Sequence, residues 1–206
     1  MSEEKENNNN FKPYMLWLLI FTFIAPIGAA YWLYNVGGTE NTVNKGEFVT
    51  SGVQLMDMGL TTLEGKAATE KDLYGHWHMM VFMNADCEKQ CEETVYTVRQ
   101  IKTSLHKESP RFVNVLIHFD KNIDTKFNEK IKTHYANFDR YLADKETFNN
   151  ALGYAGDQLV QKNIMFIVDP IGNVILKYKM DQDAEGSISK DIISDIKRLL
   201  KASQIG

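Results

Sequence analysis

The most distinctive pattern in the chain is the stretch from Tyr14 to Tyr34, which carries no charged residue. Its first half is crowded with Leu16, Trp17, Leu18, Leu19, Ile20, Phe21, Phe23 and Ile24. Twenty-one helical residues rise about 31 Å, the thickness of a bilayer's hydrocarbon core. Tyr14 and Trp17 close one end and Tyr31, Trp32 and Tyr34 the other, where amphipathic rings favour the membrane interface. Pro26 and Gly28 are tolerated in a spanning helix. Gly28, Ala29 and Ala30 are small residues of the kind a signal peptidase accepts. However, the apolar stretch is longer than a signal peptide's, and an aromatic cluster follows it directly. The pattern therefore predicts an uncleaved transmembrane helix over 14–34 behind a short cytoplasmic tail, 1–13. Lys5 and Lys12 precede the span and only Lys45 follows at a comparable distance, which favours the soluble part lying outside. In a bacterium this is a single-pass protein of the inner membrane facing the periplasm.

Residues 35–50 are rich in Gly, Asn and Thr without helical periodicity and read as a linker. In the remaining domain, 51–206, apolar runs of strand length alternate with amphipathic stretches, the pattern of an α/β sheet. Strands are expected at Leu60–Leu63, with a turn at Gly65, and at His78–Asn84. A long helix follows over Glu88–Lys107, ending before Pro110, and then a strand at Phe112–Phe119. Phe127, Ile131, His134, Tyr135 and Phe138 fall on one face and predict a helix over Thr125–Phe138. A short helix follows at Lys145–Gly153, with the glycine as its stop. Ile164–Val168 and Val174–Tyr178 flank Asp169, Pro170, Ile171 and Gly172 and read as a hairpin. Ser187–Ser203 closes the chain as an amphipathic helix with Ile188, Ile192, Ile196, Leu199 and Leu200 inward.

Charge narrows the function classes. The net charge of the 206 residues is -4 and the lysines and acids are interspersed, so nucleic acid is not an expected partner. There are two cysteines, Cys87 and Cys91, separated by three residues. That count excludes a disulfide-dense scaffold and concentrates any redox or metal chemistry at one spot. A helix N-terminus stabilises thiolate there. Two sulfurs at i and i+4 can either converge on a soft ion such as Cu(I) or cycle between dithiol and disulfide. Asp86 disfavours the Cys87 thiolate and Lys89 favours it. A merely stabilising disulfide is the plain alternative, but so short a loop gives little entropic benefit.

The run GHWHMMVFMNADCEKQCEETV resembles the thioredoxin superfamily and, within it, the Sco/SenC family of copper-handling cytochrome oxidase assembly proteins. The spacing Cys87-x-x-x-Cys91, the lead-in residues Leu73, Gly75 and Trp77, the closing IMFIVDPIG over 164–172 and an anchor before a linker carry the resemblance. It implies a thioredoxin-like fold preceded by one transmembrane helix, and copper, Cu(I), bound by Cys87 and Cys91. Its implied partner is a respiratory oxidase subunit or its assembly intermediates.

The family's copper site also uses a histidine nine positions before the hairpin proline, and here that position is Gln161, beside Lys162. The superfamily's cis-proline position falls at about Asn163. His78, Met83 and His118 are conceivable substitute ligands. More plainly, His76 and His78 read as an exposed or capping pair and Met79, Met80 and Met83 as core filling. His134 reads as partly buried and His106 as a charge at a helix C-terminus. Three functions stand: an oxidase assembly factor carrying copper or reducing its target, a metal-free periplasmic thiol-disulfide oxidoreductase, and a non-catalytic thioredoxin-like binding module.

Overall fold

The computed structural model describes residues 13–36, 44–49, 52–83, 89–123, 125–153, 156–161, 163–180 and 186–203. The chain divides into two compact units, one ending at Val43 and the other beginning at Asn44. The first contains α1 (Pro13–Val36), a helix of 24 residues with Pro26 inside it. Trp17, Leu18, Leu19 and Ile20 are all exposed. Four consecutive residues span a full helical turn, so α1 is apolar around its whole circumference. Among the described residues no helix is long and apolar enough to cross a membrane.

The second unit is a seven-stranded sheet whose strands, in spatial order, are β1 (Glu47–Phe48), β7 (Val174–Lys179), β6 (Ile164–Val168), β3 (Trp77–Met83), β4 (Phe112–His118), β5 (Phe138–Ala143) and β2 (Leu60–Thr62). β3, β4 and β5 run parallel, and every other pairing is antiparallel. The helices are α2 (Glu70–Leu73), α3 (Lys89–Ser104), α4 (Thr125–His134), α5 (Lys145–Leu152), α6 (Gly156–Gln161) and α7 (Ser187–Ala202).

All seven residues of β3 are buried, as a strand covered on both faces requires. Its alternate residues feed two cores. Trp77, Met79, Val81 and Met83 pack with Val95, Val98 and Ile101 of α3, Phe127 and Ile131 of α4, and Ile192 and Ile196 of α7. Met80 and Phe82 pack on the other face with Leu55, Met58, Phe148 and Leu159.

The expected α/β alternation is present, with the strands at 78–84 and 112–119 and the closing hairpin close to their predicted bounds. Two expectations need correction. The helix predicted over 125–138 stops at His134, and Phe138 opens β5, a third parallel strand that the helical spacing of 127, 131, 135 and 138 concealed. The helix after the cysteines ends at Ser104, and a 3-10 segment, His106–Arg111, takes up Pro110. Its first residue, His106, stands at φ 48.

The start of the unit is fastened to its last helix. Asp195, fully buried, accepts hydrogen bonds from Lys45 N at 2.7 Å, Gly46 N at 3.0 Å and the Tyr178 hydroxyl at 2.9 Å, and pairs with Arg198. Burial and this carboxylate push the Tyr178 phenol well above its ordinary pKa. Asp195→Ala leaves two amides and a hydroxyl without acceptors in the interior. We expect a loss of about 3 kcal/mol in urea unfolding followed by far-ultraviolet circular dichroism.

Candidate functional site

β3 delivers the chain to residue 83 and α3 begins at residue 89. Cys87 lies between them, outside the described residues, as does Asp86. Cys91 is the third residue of α3, half-buried and disulfide-bonded, and the sequence holds one other cysteine, Cys87. With Thr94, Val95 and Val98, Cys91 forms the stripe at i, i+3, i+4 and i+7 that packs onto the sheet. Lys89 is exposed and pairs with Glu93 at 3.7 Å, on the outer side of the same first turns.

The segment before β6 meets this helix one turn beyond Cys91. Asn163 sits at φ 47, a left-handed conformation that asparagine tolerates. Its amide donates to the Thr94 hydroxyl, which in turn donates to Gln90 O at 3.0 Å. All described peptide bonds are trans, and Asn163, at about the position where the sequence resemblance puts a cis-proline, makes a side-chain hydrogen bond. Gln161, two residues earlier, ends α6 and is exposed. The segment expected to hold the third ligand therefore does lie beside α3, but it offers a neutral amide. A pocket of about 410 Å³ opens next to it, lined by Gln158 and Leu159 of α6, Ile164 of β6 and Lys179 of β7.

The structure sorts the substitute ligands. His78 is buried, at 2% exposure, correcting the expectation of an exposed or capping pair; His76 alone is exposed. Five residues of strand separate His78 from Met83, about 16 Å, so it stands at the wrong end of β3. Met79, Met80 and Met83 are buried core residues, as expected. His134 is exposed at the end of α4, not partly buried.

His118 is at the right end. It closes β4 directly opposite Met83 in the parallel register and is completely buried. Its Nε2 accepts from Arg140 Nε at 3.4 Å, so the neutral ring carries its proton on Nδ1. Burial and the neighbouring guanidinium lower its pKa to about 3. Nε2 is engaged by Arg140 and Nδ1 carries the proton, so neither presents a lone pair to a metal.

Among the described residues there is no group of three histidine, cysteine or acidic side chains able to hold an ion. With Gln161 exposed and His118 engaged by Arg140, neither of these described residues supplies a third ligand to Cu(I).

Arg140 was missed by sequence reasoning, because its strand was. It is half-buried on β5, and its Nη1 donates to Asn128 Oδ1 of α4 at 2.7 Å. Arg140 Nη2, His118 Nδ1 and both amide atoms of Asn114 are enclosed without hydrogen-bond partners among the described residues.

A family model described as "transmembrane-like, thioredoxin-like, C-terminal domain" matches residues 77–203. Three similar solved structures are all Sco proteins. One is BsSco, a member of the Sco family of cytochrome c oxidase assembly proteins for which a disulfide switch is described, 20% identical over 71% of this chain and 93% of its own, TM-score 0.53. The yeast Sco protein with copper bound is 16% identical over 77% and 93%, TM-score 0.55. A Sco/SenC family lipoprotein from Bacillus anthracis is 23% identical over 72% and 96%, TM-score 0.53. At these identities the likeness is one of fold. No curated protein sequence matches the chain.

The buried histidines give a pH dependence. Burial, reinforced by His76, lowers His78 to about 4, and His118 is at about 3, against 6.5 for an ordinary histidine. Between 6.5 and these values the unfolded chain binds protons that the folded chain does not, so stability falls as pH drops through that window. From pH 7 to pH 5 the two rings together cost about 4 kcal/mol. Urea midpoints at the two pH values measure this, and His78→Leu should remove about half of the difference.

Proposed function

Given that the chain belongs to the transmembrane-like, thioredoxin-like C-terminal domain family, we propose that it is a membrane-anchored, Sco-like factor that assists assembly of a respiratory cytochrome oxidase by thiol-disulfide exchange through Cys87 and Cys91. The observation that carries this reading is the disulfide at Cys91 in the first turn of α3, beside a segment that presents Gln161 and Asn163 in place of a metal ligand and a cis-proline. A helix N-terminus favours thiolate, which suits an attacking sulfur just ahead of α3, where the sequence puts Cys87.

In the proposed cycle the Cys87 thiolate attacks one sulfur of a target disulfide, and the other target sulfur leaves as thiolate. Cys91 then attacks the Cys87 sulfur of the mixed disulfide. This frees the second target thiolate and closes the Cys87–Cys91 bond. Two electrons pass to the target, and an external dithiol must restore the pair. The target in this reading is the oxidase subunit that carries the binuclear copper centre, or its assembly intermediate, whose own cysteines must be reduced before copper enters.

The anchor in this proposal is α1. A helix apolar on every side has no face to present to water, and the charge-free run over 14–34 matches a bilayer core. The soluble domain then faces the periplasm from the inner membrane. We expect the full chain to stay with membranes through alkaline carbonate extraction and its domain to be digested by protease added to spheroplasts. Release by carbonate would remove the anchor from the proposal.

Cys91→Ser should trap a mixed disulfide with an oxidase subunit, visible as a reducible band that Cys87→Ser lacks. Anaerobic Cu(I) titration of the reduced protein should show uptake well below one equivalent. Tight uptake of one equivalent that both serine variants lose would replace exchange with copper delivery. Full function of the double variant in cells would instead leave a binding module.

A further inference from the structure

Strand β7 is longer than the strand that covers it. Glu47 pairs with Lys177 and Phe48 with Leu176, and Val49 N donates to Ile175 O, so β1 occupies only part of the outer edge. One more step of that ladder would set Lys45 opposite Lys179. The chain turns away instead: the amides of Lys45 and Gly46 donate to the Asp195 carboxylate, and a side chain on Gly46 would run into the Tyr178 ring. Residues along an antiparallel strand bond alternately to one neighbour and the other. Ile175 and Lys177 turn to β1, while Met180 N donates to Asn163 O on the β6 side, so Lys179 turns its own N–H and C=O outward. No described residue continues the ladder there.

The cavity of about 410 Å³ opens at this bare end of β7, and its walls come from both faces of the sheet. Leu159 of α6 and Ile164 belong to one core, and Tyr178 and Ile188 of α7 to the other. A hollow that continues a sheet edge between two walls has the shape of one further strand, whose side chains alternate between the faces. The charges select its chemistry. Lys177 and Lys179 lie opposite Phe166 and Ile164, which puts both lysines on the α6 face. Lys177 is paired with Glu47 at 2.8 Å, whereas Lys179 is exposed and no described carboxylate pairs with it. The other two charged residues of the lining, Lys45 and Asp191 of α7, cancel in charge. The cavity therefore keeps one positive charge, that of Lys179, beside an outward-facing N–H and C=O.

We propose that this end of β7 is a docking slot for the carboxyl-terminal residues of an extended peptide from another protein. The peptide adds as a short strand beside Lys179 and exchanges N–H···O bonds with its backbone. Its apolar side chains reach Leu159 and Ile164 on one face and Ile188 on the other, and its terminal carboxylate meets the Lys179 ammonium. A small anion would satisfy the ammonium but leave the apolar walls and the strand edge uncovered. The slot needs neither cysteine. It does lie beside their helix, because Ile164 follows Asn163, whose amide donates to Thr94 of α3.

The test titrates the full chain, in phosphatidylcholine nanodiscs with its Ile, Leu and Val methyl groups labelled, with the peptide Gly-Ser-Val-Thr-Val carrying a free C-terminus. The methyl resonances of Leu159, Ile164 and Ile188 should shift together, with a Kd below about 1 mM. Converting the peptide's carboxylate to an amide, N-methylating all its internal amides, and Lys179→Met should each weaken binding about tenfold. Lys197→Met, at an exposed position of α7 outside the cavity, should leave the Kd unchanged. Absence of binding would overturn the proposal, as would equal affinity for the acid and the amide or an unaffected Lys179→Met, since the carboxylate is then not read. Undiminished binding of the N-methylated peptide would remove the added strand. Displacement of the peptide by equimolar sodium acetate would mark a simple anion site and sink the peptide. Asp181, Asp183 and Glu185 follow β7 and lie outside the described residues. Binding gained only on changing them together, Asp181→Asn, Asp183→Asn and Glu185→Gln, would assign the slot to the chain's own acidic segment and overturn the outside partner.

Discussion

Strand β3 meets water on neither face, and the reactive end of the domain is arranged around that constraint. Seven consecutive buried residues leave little room for polar chemistry, and two of their polar atoms, Trp77 Nε1 and His78 Nδ1, are already enclosed without partners among the described residues. The chain can therefore change character only where the strand stops, at Met83. Parallel pairing with β4 puts His118 opposite that stopping point, and antiparallel pairing with β6 brings Ile164 and the preceding Asn163 to the same end. Chemistry gathers at the carboxyl edge of parallel strands because backbone direction alone brings three separate loops together there.

The domain shares the fold of its Sco neighbours, and the groups it presents at that edge are its own. Asn163 holds its segment against α3 by a hydrogen bond to Thr94, and Gln161, where the sequence resemblance puts a histidine, is an exposed neutral amide. A histidine is present nearby, yet Arg140 occupies the lone pair that a metal would need. A soft cation and a guanidinium compete for the same electrons, and here the guanidinium holds them.

The parts legible in the sequence were those that one kind of pattern specifies. Continuous apolar runs gave β3, β4 and β6, a turn sequence gave the closing hairpin, and a clean 3.6 period gave α7. β5 was hidden because Asp139 and Arg140 interrupt its run while Phe138 continues the spacing of the helix before it. Losing β5 cost the site its arginine. The burial of His78 and His118 was equally out of reach, since only pairing on both sides, with Val113 and Val168 for one and Met83 and Leu142 for the other, encloses a residue type that is usually half-exposed. The cysteines were found by spacing alone, whereas their setting depended on contacts far apart in sequence.

The grip of Asp195 on the amides of Lys45 and Gly46 has a mechanical side. The segment ahead of residue 44 does not join the domain at a fraying end. It joins at a carboxylate rooted in α7, between Ile192 and Ile196, which sit in the same core as Val95 and Val98 of α3. A pull on that segment is therefore borne first by the last helix and spread through the packed interior. Short strand β1 is shielded from peeling, and the load path ends in the layer on which the cysteine-bearing helix rests.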